Sequence, residues 1–195
     1  VGSYKENTVM SERVIEYPFV KEFLNIGDRI LDVGTGNSAD IVWNYEVKEI
    51  YALDKKLVNK PNFISITGNA EDKKLFEKEY FNKITCVSTL EHTEDDKKIS
   101  ENFHYWLKNG GILVLTVPYG KYNFYRVKSL GELMRLYDKQ NLLKLFPKDK
   151  WEWIEERYYI RKDEDDWEKC DEEKAYKFGG VDPVKSVILL ALKKI

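Results

Sequence analysis

A mostly parallel sheet with helices on both faces is the fold this sequence predicts, and three observations predict it. Residues 29–38, RILDVGTGNS, read as a short apolar strand, a glycine turn and a helix start. Short apolar runs then alternate with helical patterns along most of the chain, the signature of strands joined by crossover helices. Finally, the runs at 112–117 and 184–192 are apolar almost throughout, as strands covered on both faces must be.

The elements follow in order. Over residues 8–24, Val9, Val14, Ile15, Phe19, Val20, Phe23 and Leu24 recur near helical spacing, with Pro18 expected to break or kink that helix. A strand at 29–33 is followed by a helix over 38–47, with Ser38 as its N-cap. Strands are expected at 49–53 and at 63–66, the latter entered through Pro61 and Asn62, and a charged amphipathic helix at 71–80. A strand at 83–89 leads to a helix over 94–108 that keeps Ile99, Phe103, Trp106 and Leu107 on one face. Asn109, Gly110 and Gly111 supply C-cap chemistry before the strand at 112–117. Residues 119–128 read as a loop, and the leucine-rich stretches over 130–137 and 142–146 as helical segments ending at Pro147. A strand at 151–160, a solvated acidic loop at 163–173 and the strand at 184–192 close the chain.

At 195 residues the chain is long enough for one well-buried core and too short for two ordinary domains. Its 32 basic and 34 acidic side chains leave a net charge of −2, which argues against nucleic acid as an obligatory partner. The two cysteines, Cys86 and Cys170, lie far apart and suggest neither a disulfide scaffold nor a zinc site; with two histidines, no metal site is expected. With no apolar run of membrane-spanning length and no leader-like opening, a cytoplasmic monomer or homodimer without membrane attachment is the expectation.

The glycine turn carries the chemistry. A strand running into Gly34, Thr35 and Gly36 and then a helix start brings backbone N–H groups and a positive dipole end toward a ligand. Eighteen residues beyond Gly36, Asp54 closes an apolar run, where a Rossmann-type fold binds ribose hydroxyls. The pattern GTGNSA also satisfies the loose dinucleotide fingerprint, so the turn alone does not separate cofactors. Three further segments do: GNAED at 68–72, FNKITCVSTLEH at 81–92 and LKNGGILVLTVP at 107–118.

In that order, with LDVGTG and ALD, these segments resemble the motifs of class I S-adenosylmethionine-dependent methyltransferases over residues 29–118. The resemblance implies a Rossmann-like sheet of seven strands in the order 3-2-1-4-5-7-6, the last antiparallel. It implies one domain over 1–195, with residues 1–28 as a helical cap and 119–183 as substrate-side insertions. It also assigns Gly34, Thr35 and Gly36 to S-adenosyl-L-methionine, Asp32 to its methionine portion, Asp54 to its ribose, and Asn69 and Ala70 to its adenine. Asn69 stands where many family members have Asp; an amide can still accept one hydrogen bond.

On the acceptor side, Glu91 and His92 follow the fourth strand at the ligand-gathering edge of the sheet. His92 is a candidate general base, and Glu91 reads more as a hydrogen-bonded structural acid. Tyr119, Tyr122, Phe124, Tyr125 and Arg126 form an aromatic set with a guanidinium, suited to a sugar or other polar ring; a loop folded back on the core is the alternative. ERVIEYPFV at 12–20, TVPYG and the later tyrosines resemble small methyltransferases acting on glycans, in which an N-terminal helix closes over the cofactor. That makes Arg13 a candidate partner for the cofactor carboxylate. The expected reaction is methylation of a small-molecule or glycan-like acceptor, at oxygen. The alternatives are an N- or RNA methyltransferase, a non-catalytic cofactor-binding domain that regulates a partner and, last, an NAD-dependent oxidoreductase.

Overall fold

The apolar runs form strands that pair through their main chains, and their alternation decides which face each residue covers. The computed structural model describes residues 12–36, 49–56, 63–126, 133–163, 166–179 and 184–195. Helix α1 (Arg13–Lys21) opens it and continues through an exposed Pro18. Strands β1 (Arg29–Val33), β2 (Glu49–Asp54) and β3 (Ile64–Thr67) follow, then β4 (Phe81–Val87), α2 (Asp96–Trp106) and β5 (Leu107–Pro118). The second half holds β6 (Asn123–Arg126), β7 (Leu133–Leu136), α3 (Lys139–Leu145), β8 (Trp151–Asp163), β9 (Asp166–Cys170), α4 (Glu172–Phe178) and β10 (Ser186–Lys194). No described helix is long and apolar enough to cross a membrane.

The main sheet has the order β3-β2-β1-β4-β5-β10-β8-β9. Its first five strands are parallel; β10 lies antiparallel between β5 and β8. With β8 counted sixth and β10 seventh, the expected order 3-2-1-4-5-7-6 is recovered. The count differs, because β9 adds an eighth strand at the edge and β6–β7 form a separate hairpin. Of the stretch 119–183, β8 and β9 belong to the main sheet.

Each face of the sheet has its own core. Ile30, Val114, Leu189 and Ala191 point to the face covered by Tyr17, Phe19 and Val20 of α1. Their neighbours Leu31, Leu113, Leu115, Ile188 and Leu190 point to the other face, against Ile99, Phe103 and Trp106 of α2. Adjacent residues serving opposite cores is the pleat expressed in packing.

Several expectations are corrected. Of the helix expected at 71–80, only a 3-10 turn, Lys73–Leu75, forms. Phe76 is already extended, and its ring joins an edge-to-face cluster with Tyr51, Phe81 and Trp106. Gly110 and Gly111 do not cap α2, which ends at Trp106 with Leu107 extended. They lie within β5, Gly110 at a φ of 75°, where the register against β4 shifts between Phe81 and Lys83. Within the loop expected at 119–128, Asn123–Arg126 is strand β6, and within the helix expected at 130–137, Leu133–Leu136 is strand β7; the two pair antiparallel, and the extended β7 carries Arg135 to Thr93 O and Glu94 O. Within the acidic stretch at 163–173, Asp166–Cys170 is β9, whose main chain pairs with the edge of β8, and Glu172 starts α4. The helix over 38–47, its Ser38 cap, and Pro61 and Asn62 lie outside the described residues.

Arg135 is the anchor of the hairpin. Its guanidinium is buried, donates to Thr93 O and Glu94 O at 3.2 Å each, and lies over the Phe124 ring at 4.2 Å. Its Nε stands 3.3 Å from Asp96 Oδ2, an ion-pair distance with an angle too bent for a hydrogen bond. Tyr137 adds a bond from its hydroxyl to the same carboxylate at 3.1 Å. Removing one member of a buried pair strands the other. Arg135→Leu is therefore expected to cost about 3–5 kcal/mol in denaturant unfolding, and Arg135→Lys should not restore it, since an ammonium lacks the fork that spans both carbonyls.

Candidate functional site

The carboxyl ends of β1, β2 and β4 meet at a cleft of about 580 Å³. At its floor, the chain leaves β1 through Gly34 (φ 77°) and Gly36 (φ 55°), left-handed conformations that favour glycine. A Cβ on Gly34 would lie 2.1 Å from Thr89 Oγ1, so β4's following turn can close against β1 only if position 34 has no side chain. Gly34 N–H donates to Leu53 O at 2.8 Å.

Asp54 supports the turn from the next strand. Its Oδ2 accepts from Gly36 N–H at 3.0 Å and its Oδ1 from Lys56 N–H at 2.9 Å, and each oxygen keeps a second lone pair. Its carbonyl receives Gly68 N–H at 2.9 Å, tying the 68–72 loop to β2. Within that loop Asn69 Oδ1 accepts from Glu71 N–H at 3.1 Å, which fixes the orientation of its amide. Asn102 of α2, which the sequence reading missed, donates through Nδ2 to Ala70 O at 2.8 Å and holds the loop against the helix. Asp32 is buried under the turn, where its Oδ1 accepts from Thr85 Oγ1 at 2.6 Å. Thr35 Oγ1 donates to Asp32 O at 3.1 Å.

The turn after β4 is strained. Ser88 has a φ of 42°, and its N–H donates to Thr116 Oγ1 at 3.0 Å and to Thr116 O at 3.1 Å. A 3-10 turn, Leu90–His92, follows. His92 lines the cleft, and its Nδ1 lies 2.8 Å from Leu133 O of β7. A carbonyl only accepts, so Nδ1 carries the proton and the neutral ring leaves the Nε2 lone pair free. Nε2 is 3.9 Å from Glu91 Oε1.

Glu91 is buried, and its Oε2 has no partner among the described residues. Burial pushes its carboxyl up to about 8, and burial raises Asp32 to about 6 against the opposing hydrogen bond from Thr85. Glu16 of α1, another residue missed from sequence, is fully buried: its Oε1 accepts from Ser88 Oγ at 2.7 Å and Thr116 Oγ1 at 2.6 Å, and its Oε2 pairs with Arg13. The available signal was a carboxylate on the apolar face of a helix, between Ile15 and Tyr17.

The structure thus brings Gly34, Asp54, Asn69, Ala70 and His92 to one cleft, with Asp32, Thr35 and Glu91 packed behind it. Arg13 stands on α1 with Glu16 and is not among the cleft-lining residues. Tyr119 is not brought to the cleft either. It is buried, donates to Glu172 Oε1 at 2.9 Å, and faces a separate cavity of about 510 Å³ beside Tyr176. Tyr122 is exposed at the start of the hairpin; the side chains of Tyr125 and Arg126 lie outside those described. Among the described residues, no group of three or more His, Cys, Asp or Glu side chains could hold a metal ion.

Residues 9–158, well over half the chain, match the family of methyltransferase domains. The chain belongs to that family. The protein is an S-adenosylmethionine-dependent methyltransferase of class I. The fold recurs in a 1,6-didemethyltoxoflavin-N1-methyltransferase from Burkholderia thailandensis, whose structure holds 1,6-didemethyltoxoflavin and S-adenosylhomocysteine: 12% identity, TM-score 0.66, covering 98% of this chain and 80% of that one. An S-adenosylmethionine-dependent methyltransferase from Methanosarcina mazei aligns at 14% identity and TM-score 0.64, over 92% and 98% of the two chains. The 4+2 cyclase SpnF aligns at 14% identity and TM-score 0.66, over 97% and 84%. No curated relative matches the chain. The cleft of this methyltransferase fits the cofactor: its size suits a nucleoside, Gly34 presents main chain in its lining, and the Asp54 oxygens retain acceptor capacity.

The raised carboxyls set the pH response of the methyltransferase's stability. A folded-state value above the unfolded one contributes stability that is complete below the unfolded value and is lost as pH rises through the folded one. For Glu91 that loss runs from the ordinary range near 4.5 up to about 8. In thermal melts, Glu91→Gln should therefore match the wild type below about pH 4.5, gain on it as pH rises from there, and show its full advantage above about pH 8.

Proposed function

We propose that this methyltransferase acts at an oxygen of a small-molecule or glycan-like acceptor, with His92 as general base. The observation that carries this reading is the Nδ1–H bond to Leu133 O, which leaves Nε2 as a proton acceptor on a ring that lines the cofactor cleft. The bound cofactor supplies a methyl group already activated as a sulfonium substituent. The protein's part is then to align the acceptor and take its proton as the new bond forms. Leu133 O holds the ring before and after that proton arrives. The imidazolium would be stabilised by the Glu91 carboxyl oxygen 3.9 Å away.

In this reading Asp54 binds the ribose hydroxyls, Asn69 and Ala70 meet the adenine, and Gly34, Thr35 and Gly36 form the wall against the methionine portion, with Asp32 beneath. Arg13 would meet the cofactor carboxylate. Tyr122, Phe124 and Arg126 belong to the hairpin that supplies Leu133 and would shape the acceptor side. The Burkholderia structure, which holds 1,6-didemethyltoxoflavin, supports a small-molecule acceptor, and the N1 in that enzyme's name favours a nitrogen acceptor as the second reading. Free Cys86 and Cys170 support a reducing compartment such as the cytoplasm. Incubation with methyl-labelled cofactor and separate pools of glycans, nucleotide sugars, small amines and RNA tests the acceptor class; label confined to amines or RNA would overturn the oxygen reading.

Two substitutions separate binding from chemistry. Asp54→Ala removes charge-assisted acceptors worth roughly 1.5–3 kcal/mol each at best, and calorimetry should show cofactor affinity reduced by about one to two orders of magnitude. His92→Ala should leave cofactor affinity nearly intact while single-turnover rates fall about 10²–10⁴-fold. A fully active His92→Ala enzyme would leave alignment alone as the source of rate.

A further inference from the structure

Three carboxylates are buried behind one wall of the cleft: Asp32 at the end of β1, Glu16 on α1 and Glu91 in the turn after β4. Asp32 has the Thr85 hydroxyl, and Glu16 has Ser88, Thr116 and Arg13. Glu91 Oε2 is buried with no partner among the described residues. Among the described residues, Arg13 is a cation whose charge bears on all three. One guanidinium against three carboxylates leaves a negative excess when all are ionised. The wall in front of it consists of Val33, Gly34, Ser88, Thr89 and His92, the chain neighbours of Asp32 and Glu91 and the hydroxyl partner of Glu16.

An uncompensated buried carboxylate persists most readily where something else supplies the countercharge. The two forms of the cofactor differ in just that respect. S-adenosylmethionine carries a permanent sulfonium charge, and S-adenosylhomocysteine, the product, has a neutral thioether in the same place. We propose that Asp32, Glu16 and Glu91 form a charge-selective wall that favours the sulfonium cofactor over its thioether product, so that transfer of the methyl group itself weakens the hold on what remains. This rests on the cleft being the cofactor site.

The groups facing Glu91 decide how the preference varies with pH. They are Glu12, Arg13 and Glu16 from α1 and the residue before it, Cys86 from β4, Tyr137 just after β7 and His92 in its own turn. Arg13 stays charged throughout, and burial pushes Cys86 and Tyr137 well above their usual range, so both stay neutral. Glu91 gains its charge as pH rises through about 8. The sulfonium charge does not titrate, but it lowers the pKa of the nearby methionine ammonium, so the two ligands' amines titrate differently; that difference is the same for the wild type and Glu91→Gln and cancels when the two proteins are compared.

The test is calorimetric titration of the full chain with each ligand between about pH 6.5 and about pH 9. A charge pair about 10 Å apart in an effective dielectric near 20 changes an equilibrium constant by roughly tenfold. The preference for S-adenosylmethionine over S-adenosylhomocysteine, taken as the wild type relative to Glu91→Gln, should therefore climb about tenfold over that range. Burial raises the Glu16 carboxyl too, so Glu16→Gln should lower the preference several-fold at the alkaline end, which keeps the test decisive if Glu91→Gln does not fold. The same pH course in the wild type and Glu91→Gln, or a preference unchanged at about pH 9 in Glu16→Gln, overturns the proposal. Failure of both ligands to bind the wild type would instead remove the cofactor site on which it rests.

Discussion

Thr89 Oγ1 stands 2.1 Å from where a side chain at position 34 would begin, and that close approach organises the site. It lets the turn after β4 close over the end of β1, which sets the floor of the cleft and the height of His92 above it. The same turn is secured from the other side by Asp54, whose carboxylate receives Gly36 N–H, and by Leu53, whose carbonyl receives Gly34 N–H. A ligand approaching this turn meets main chain, which is why the glycines and Asp54 act as one unit even though they lie on different strands.

Burying Asp32, Glu16 and Glu91 carries a desolvation cost that three apolar side chains would not. The first two recover part of it through hydroxyl donors on neighbouring strands, Thr85 for Asp32, and Ser88 with Thr116 for Glu16. Those bonds also tie α1 to the ends of β4 and β5, so the helix on one face of the sheet is locked to the edge where ligands gather. Ser88 holds a left-handed backbone to make its share of that contact. Strain and buried charge therefore coincide at the same edge of the sheet, a pattern typical of functional sites.

The β6–β7 hairpin borders the cleft from outside the main sheet, through Leu133. It has little core of its own and depends on Arg135 and Tyr137 reaching Asp96 and the carbonyls of Thr93 and Glu94. Its return for that anchorage is Leu133 O, the acceptor that sets the tautomer of His92. One arginine thus links the position of a hairpin to the protonation pattern of an imidazole in the cleft.

The parallel sheet, the glycine turn, Asp54 and the LEH turn were legible in the sequence because each depends on residues close together in the chain. Period-two apolar runs, φ-permissive glycines and a carboxylate at a strand end carry local reasons for their structure. The hairpin at 123–136 was not legible: Leu133, Met134 and Leu136 satisfy a helical pattern as well as a strand, and the choice lies with Arg135, whose partners Asp96, Thr93 and Glu94 are about 40 positions away. Glu16 was missed for the same reason, since only the packed fold brings Ser88 and Thr116 to it, 72 and 100 positions on. By itself the sequence determined the parallel sheet and the glycine turn at its carboxyl edge, while the order of strands came with the family resemblance. Tertiary structure decided which buried charges are paired, which way His92 is protonated and that Tyr119 turns to a separate cavity, because those depend on partners that only folding brings into contact.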